Sequence, residues 1–178
     1  NILTDVINGK NLATQFNHTM LMHNNQINND NSPNLLNISK IKDVTYGIIR
    51  YYFKLNKIIN FLVQKPIKEQ IIKNILLIGL YEIIYTKKPE YAIVNELVNL
   101  SLNLNLKKYK NFINAILRNY IRKQNIINGY FINNNDLEYQ YNFSKDLITL
   151  LKKSYPLDYL NIIQILFEYE QQYKKLIL

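Results

Sequence analysis

Apolar side chains recur about every 3.6 residues from Ile41 onward, a pattern that indicates amphipathic helices rather than strands. The first of these stripes follows a predicted N-cap at Ser39. Its members are Ile41, Val44, Ile48, Tyr52, Leu55, Ile59 and Leu62. The span fits either one long helix or two helices bent near residues 53–56, and the pattern does not distinguish them.

Three further amphipathic segments follow, two of them opened by proline. We predict that Pro66 lies in the first turn of one helix and that Pro89 opens the next, because proline is favoured at the first helical position. In the helix after Pro89, the side chains predicted to point inward are Ile93, Leu97, Leu100 and Leu104. Those predicted to point outward are Asn95, Asn99 and Asn103. The third segment runs from residue 107 to about 124, and the series predicts an all-α helical bundle.

The two ends of the chain differ from this middle part. We divide the chain into a first helix region at 1–23 (one amphipathic helix), an Asn-rich insertion or loop at 24–38, a helical core at 39–130 and connecting helices at 131–178. Within the last segment, residues 133–135 mark a loop, Ser144 caps a short helix, and Pro156 starts another helix. Gly79 interrupts a helical pattern, which predicts close approach of a neighbouring helix at that position.

Positive charge is concentrated in the middle of the chain. The net charge is +9, and residues 41–130 alone sum to +10. Lysine, asparagine and isoleucine all have A/T-rich codons, so part of the lysine excess reflects codon bias. The distribution of charge is therefore more informative than its total.

Two predicted helix faces carry cations of this basic segment. Opposite the apolar stripe of the helix that begins at residue 107 lie Lys107, Arg118 and Arg122, with Lys108 beside them. An earlier polar face carries Arg50, Lys42 and Lys57. Basic faces neutralise phosphates and release counterions, so they are candidate nucleic-acid surfaces. The alternative is an ordinary solvated helix face. The predicted phosphate contacts are Lys107, Lys108, Arg118 and Arg122, with Arg50 and Lys42 as weaker candidates.

Side chains suited to catalysis or metal binding are sparse. The chain has no cysteine, which excludes a disulfide framework, a zinc finger, an iron–sulfur cluster and a cysteine nucleophile. His18 and His23 are interpreted as surface side chains rather than metal ligands. Glu168 and Glu170 point to different sides of a predicted helix, so they are a poor acid/base pair. We therefore expect no active site, no metal and no cofactor in these residues.

Neither a membrane span nor a base-stacking surface is predicted. The longest apolar run, residues 75–81, is far shorter than the ~20 residues that cross a bilayer. No basic-then-apolar signal segment opens the chain, so we expect a cytoplasmic protein. Most of the 15 tyrosines fall on apolar helix faces and are interpreted as core.

Four segments together resemble a known family in order and spacing. They are residues 43–50 (DVTYGIIR), 77–85 (LIGLYEIIY), 89–96 (PEYAIVNE) and 112–118 (FINAILR). The chain resembles the NusB-like α-helical domain that begins the ribosomal RNA small subunit methyltransferase B family, the 16S rRNA cytosine-C5 methyltransferases. The resemblance implies two small helical sub-bundles that bind rRNA, with the 30S subunit or a ribosomal protein as further partners. Its hallmarks include Asn95, Glu96 and Asn114, which we interpret as forming buried helix-to-helix hydrogen bonds, with contact to a ligand as the alternative.

The resemblance also implies chemistry that these residues lack. The family uses a cysteine thiolate and S-adenosylmethionine in a separate catalytic domain. With no cysteine, these residues alone cannot transfer a methyl group, and we expect that the catalytic domain either lies beyond a cut in the reading frame or has been lost by gene decay. The first residue is Asn1 rather than Met, which suggests a longer open reading frame. Two alternatives remain: a NusB-type transcription antitermination factor that binds RNA and a ribosomal protein, and a helical adaptor that binds no RNA.

Overall fold

The computed structural model describes residues 2–27 and 38–177, which form ten α-helices and one 3-10 turn. The helices are α1 (Ile2–Ile7), α2 (Leu12–Ile27), α3 (Ile38–Arg50), α4 (Tyr52–Leu62), α5 (Gln70–Tyr85), α6 (Glu90–Asn103), α7 (Lys110–Asn133), α8 (Leu137–Tyr141), α9 (Lys145–Ser154) and α10 (Tyr159–Ile177). The 3-10 turn, Lys107–Tyr109, precedes α7. Because the described residues contain no strand, the predicted all-α class is confirmed.

Helix α5 is the centre of the bundle. It packs against α1, α3 and α4 and also against α6 and α7, so the two groups of helices meet on it. Nine of its 16 residues are buried, which is why its sequence is apolar on almost every side. The core is continuous from Leu3 in α1 to Tyr139 in α8, and its members Ile127 and Phe131 lie near the end of α7.

The N-terminal region contains two helices where one was predicted. Gly9 has a φ of +91°, a left-handed conformation that glycine adopts without strain, and it ends α1. Its N–H donates to the carbonyl of Val6 (2.9 Å), and that of Lys10 donates to Asp5 (3.0 Å). Helix α2 then continues to Ile27, so it includes the start of the predicted Asn-rich loop. Residues 28–37 of that loop lie outside the described residues.

The first predicted stripe forms two helices rather than one. Helix α3 begins at Ile38, so Ser39 lies in its first turn and the predicted N-cap is wrong. The break falls at Tyr51, slightly before the predicted bend. Asn142, from the loop after α8, occupies this break: its amide donates to the carbonyl of Arg50 and accepts from the N–H of Lys54 (2.9 Å). The N–H of Lys54, one of the groups in the first turn of α4 that lack a partner within the helix, is therefore satisfied by a residue 88 positions away in sequence.

Proline marks only one of the three predicted helix starts. Pro89 is the N-cap of α6, as the sequence predicts. Helix α5 begins at Gln70, so Pro66 is not in its first turn. Pro66 lies in an irregular segment from which Ile67 packs against the core, and this tertiary contact replaces an early helical turn. Pro156 is followed by a turn, and α10 begins only at Tyr159.

The last part of the bundle differs in helix length from the prediction. Helix α7 extends to Asn133 instead of ending near residue 124, because Ile127 and Phe131 keep its apolar face against the core. Of the loop predicted at 133–135, residues 134 and 135 are confirmed, because residue 133 still belongs to α7. The short helix α8 was not predicted. Its N-cap is Asp136, whose carboxylate accepts from the N–H of Tyr139 (3.0 Å).

Two predictions of local packing are confirmed. A Cβ added to Gly79 would lie 2.8 Å from methyl carbons of both Leu97 and Leu117, so glycine lets α5 approach α6 and α7 closely. Ser144 caps α9 by accepting from the N–H of Leu147 (3.2 Å).

Within the described ranges, none of the helices combines the length and the apolar content needed to cross a membrane.

Candidate nucleic-acid interface

Helices α6 and α7 run antiparallel and leave a polar groove between their outward faces. Helix α6 buries Ile93, Val94, Leu97 and Ser101, and α7 buries Ile113, Ile116, Leu117 and Tyr120. Because side chains three and four residues apart share a helix face, the intervening positions point to solvent. Asn95, Asn99 and Asn103 are exposed as predicted. Leu100 and Leu104, predicted to point inward, are 36% and 43% exposed, because Val94 and Ser101 occupy the inner face instead.

The two predicted arginines lie together at one end of this groove. Arg118 and Arg122 are exposed and one helical turn apart on α7. With Tyr91 and Glu90 from the start of α6, they line a cavity of about 190 Å³. Its other lining residues are Val94 and Ile121.

A second cavity continues along the same two helices. It has a volume of about 370 Å³. Its lining residues are Asn95, Val98, Asn99, Lys110, Asn111 and Asn114. The guanidinium Nε of Arg118 donates to Oδ1 of Asn114 (2.8 Å), so one side-chain contact connects the two cavities. We name the two cavities together the α6–α7 groove.

The lysines before α7 do not belong to the arginine face. Lys107 and Lys108 lie in the 3-10 turn, where the N–H of Tyr109 donates to the carbonyl of Leu106 (2.9 Å). A 3-10 turn advances a larger angle per residue than an α-helix, so the predicted alignment of Lys107 with the arginines is wrong. Both lysines remain exposed at the end of α6 and α7 where the second cavity lies, and the ammonium of Lys108 lies 4.9 Å from the ring of Tyr109.

The cations of the earlier polar face differ in their contacts, and the ammonium of Lys42 lies 5.4 Å from the centre of the Phe16 ring on α2. Lys42 and Arg50 are exposed on α3 on either side of Tyr46, which is 41% exposed. Lys57 on α4 instead pairs with Asp136 and Glu138, each at 2.8 Å. Burial alone would lower the pKa of Lys57, but the hydrogen bonds and charges of these two carboxylates raise it. Lys57 therefore holds α8 in place and is not a candidate phosphate contact.

The three family hallmarks do not form buried helix-to-helix hydrogen bonds, so that interpretation is wrong. Asn95 is exposed in the α6–α7 groove, and Asn114 accepts from Arg118 of its own helix. Glu96 is 60% exposed and pairs with Lys88, whose ammonium also lies 3.7 Å from Glu82 of α5. The buried face of α6 is already filled by apolar side chains, which leaves positions 95 and 96 outside.

One exposed tyrosine in the groove was missed by the sequence analysis. The interpretation of tyrosines as core holds for Tyr81, Tyr120 and Tyr139, which are buried, but Tyr91 is 68% exposed. A signal was present: Tyr91 stands two residues before Ile93, and therefore on the side of α6 away from the apolar stripe.

Among the residues that the structure describes, no group of three or more acidic or histidine side chains that could hold a metal ion is found. His18 is exposed on α2, and the side chain of His23 lies outside the described part. Glu168 accepts a hydrogen bond from Gln164 one turn earlier on α10 (3.0 Å), as a solvated helix face does.

Comparison with known proteins places these features in a family. Residues 1–122 match the NusB family, a range that includes the whole α6–α7 groove. Ribosomal RNA small subunit methyltransferase B of Proteus mirabilis is 31% identical over 118 residues, which are 65% of this chain and 27% of the relative. The protein of the same name from Pasteurella multocida is 35% identical over 86 residues, 47% of this chain and 19% of the relative. That of Vibrio vulnificus is 29% identical over 126 residues, 70% of this chain and 29% of the relative.

The chain thus spans less than a third of the length of these relatives, and it corresponds to their N-terminal part. The family match covers well over half of the chain. It includes helices α1 to α6 and the first half of α7. The chain belongs to the NusB family.

Proposed function

We propose that this chain is an RNA-binding domain that docks small-subunit (16S) rRNA for cytosine-C5 methylation. Three relatives that match it over their N-terminal part carry the name ribosomal RNA small subunit methyltransferase B, which supports an rRNA target. The observation that carries the proposal is the exposed pair Arg118 and Arg122 on the groove between two helices of the matched region. This role places the protein in the cytoplasm, with rRNA or the 30S subunit as its partner.

Arginine suits this role for a physical reason. Its guanidinium is always charged and donates in a planar fork that fits two phosphate oxygens at once. Each phosphate that it neutralises releases condensed counterions, so the gain in affinity is largest at low salt. Lys107, Lys108 and Lys110 extend the positive surface beyond the arginines, and Arg50 and Lys42 on α3 add a second contact area.

Methyl transfer itself is assigned to a domain outside these 178 residues. The chemistry of the rRNA methyltransferase B family requires a cysteine thiolate that adds to the cytosine ring, and this chain has no cysteine. S-adenosylmethionine would therefore be bound by that other domain. The residues described here bind and orient the RNA.

Charge reversal of the arginine pair tests the proposal. We expect the double variant Arg118→Glu, Arg122→Glu to bind rRNA fragments about tenfold more weakly or worse in 100 mM salt. The slope of log affinity against log salt should decrease by about 1.4, since each lost contact to single-stranded RNA removes about 0.7. Filter binding at several salt concentrations measures both quantities.

A matched control separates local contacts from total charge. The variant Lys152→Glu, Lys153→Glu makes the same change of charge at two exposed positions of α9, outside the matched region. This control variant should retain most of the wild-type affinity for rRNA fragments and most of the wild-type salt slope. Equal effects of the two double variants, or no effect of either, would contradict the proposed arginine contacts.

A second candidate function follows from the family match itself, which equally fits a NusB-type transcription antitermination factor. Such a factor binds a leader RNA together with a small ribosomal protein. A pull-down from lysate distinguishes the two, because the antitermination role predicts that ribosomal protein and leader transcripts are recovered in place of rRNA fragments. A chain that binds no RNA at 50 mM salt would instead be a helical adaptor.

A further inference from the structure

The arginine end of the α6–α7 groove has a composition that phosphate binding alone does not require. A surface that only contacts phosphates needs cations, and here Arg118 and Arg122 share their cavity with an aromatic ring, Tyr91. That ring is 68% exposed, so a ligand can reach it, as it cannot reach the buried rings of Tyr81 and Tyr120. Ring and guanidinium groups come from different helices and meet only because α6 and α7 are antiparallel.

The lining and size of this cavity fit one flat ring. The buried Val94 and the half-buried Ile121 also line it, so a bound group would contact apolar side chains. Its volume of about 190 Å³ is below the roughly 300–1,000 Å³ of sites that enclose a drug-sized ligand. A single aromatic ring with its attached phosphate at the rim matches this shape better than a longer ligand does.

The remaining lining group also favours a base over a phosphate alone. Glu90 carries a carboxylate, which repels a phosphate placed beside it but accepts hydrogen bonds from the amino group on the edge of a base. The arginines lie on α7 and Glu90 on α6, so the cavity presents cations on one wall and an acceptor on the other.

We propose that this cavity binds an unpaired nucleotide of a single-stranded RNA segment, with its base stacked on Tyr91 and its phosphates on Arg118 and Arg122. The inference rests on the proposed function and specifies it, because it makes the target a loop or bulge and not a continuous duplex. A base inside a helix has both faces covered by its neighbours, whereas an unpaired base can stack on an aromatic side chain. The amides of Asn95, Asn99 and Asn111, further along the groove, would face the next nucleotide.

Removal of the ring is the direct test. We expect Tyr91→Ala to bind a single-stranded RNA about 5- to 150-fold more weakly than the wild-type chain, the range found when one stacked base loses its platform. The salt dependence should stay unchanged, since stacking releases no counterions. Tyr91→Phe keeps the ring and should retain most of the affinity. Tyr155→Ala removes an exposed ring on another part of the surface and should have no effect.

Two RNAs and one optical probe complete the experiment. A hairpin with a fully paired stem and the same number of phosphates should bind the wild-type chain more weakly than the single strand, and Tyr91→Ala should narrow that difference. A 2-aminopurine placed in the single strand should lose fluorescence on binding to the wild-type chain, and less on binding to Tyr91→Ala. Circular dichroism confirms that each variant is folded.

The outcomes separate this inference from the function on which it rests. A wild-type chain that binds neither RNA at low salt contradicts the proposed function and the inference together. A wild-type chain that binds RNA, with Tyr91→Ala equal to it on both RNAs, overturns the stacking site and leaves phosphate docking intact.

Discussion

Burial in the helical core perturbs the titration of several tyrosines. It raises the pKa of Tyr81 to about 12, with the nearby carboxylate of Asp43 adding to the effect. It also raises the pKa of Tyr120 to about 12, with a contribution from Glu90. Burial raises the pKa values of Tyr85 and Tyr139 further. The ring of Tyr85 stacks on Tyr51 and that of Tyr139 on Phe131.

These shifts predict that alkaline pH destabilises the fold. Between pH 10 and about 12 the folded chain keeps phenol protons that the unfolded chain loses, so the free energy of unfolding falls as pH rises. Lys57, whose pKa is raised above its ordinary value of 10.5, adds to the loss of stability above that pH. Burial lowers the pKa of Lys54, so this one group makes the free energy of unfolding rise with pH below pH 10.5. The buried tyrosines outnumber it above that pH. Urea denaturation from pH 8 to 11.5 measures the effect.

A phenylalanine variant identifies the source of this pH dependence. Tyr120→Phe removes one buried phenol and should make the loss of stability above pH 10 less steep. Tyr155→Phe, at an exposed position, should leave the steepness unchanged. A wild-type free energy of unfolding that stays constant from pH 10 to 11.5 would show that burial of these phenols does not control the transition.

At the scale of the helices, glycine determines how closely α3 and α5 pack. A Cβ on Gly47 of α3 would lie 2.1 Å from the ring of Tyr81 on α5, well inside van der Waals contact. By contrast, Gly129 on the exposed side of α7 has no atom within 4 Å of such a Cβ. The same residue type therefore has a packing role in one helix and none in the other.

We expect opposite effects when these two glycines are replaced by alanine. Gly47→Ala should lower the free energy of unfolding by about 1–2 kcal/mol, because overpacking exceeds the gain in helix propensity. Gly129→Ala should raise it by about 0.5–1 kcal/mol, since only the propensity changes. Equilibrium denaturation measures both. A stabilised Gly47→Ala variant would mean that Tyr81 moves aside at little cost.

Helix α8 shows how a short element is fixed by contacts distant in sequence. Its five residues are too few for a stable isolated helix. Asp136 at its N-cap and Glu138 in its first turn both pair with Lys57 of α4, and Asn142 after its end enters the break between α3 and α4. The contacts with α4 join residues 79 and 88 positions apart, so local sequence supplies only the Asp136 cap and not the contacts that hold α8 in place.

At the scale of the whole molecule, the C-terminal helices are attached less firmly than the rest. Helix α9 has no buried residue, and Ile163 is the fully buried side chain of α10 among those described. Several large apolar side chains of these helices and of the turn between them are exposed: Leu150, Leu157, Leu160, Ile165, Leu166 and Tyr169. Opening of α9 and α10 therefore exposes little additional apolar surface.

Hydrogen exchange under native conditions should show this difference. We expect the amides of α9 and α10 to exchange by local opening, at a lower free energy than those of α5, where nine residues are buried. The amides of α6, which buries Ile93 and Val94 against the core, should behave like those of α5. Equal protection of α10 and α5 would indicate one cooperative unit instead.

A glycine within a helical pattern indicated the close approach at Gly79, but only the tertiary structure supplied its neighbours Leu97 and Leu117. A local signal determined the cap at Ser144. Periodicity determined the all-α class, because it depends on residues near one another in sequence. It also placed Arg118 and Arg122 on one exposed face, since four residues make about one helical turn. It failed where a non-local contact competed with local preference, as with Ile67 against the core and Asn142 in the α3–α4 break, and it did not distinguish the 3-10 turn at Lys107 from an α-helix. Only the tertiary structure brought Tyr91 beside the arginines, because the distance between side chains on two helices is decided by packing and not by spacing along the chain.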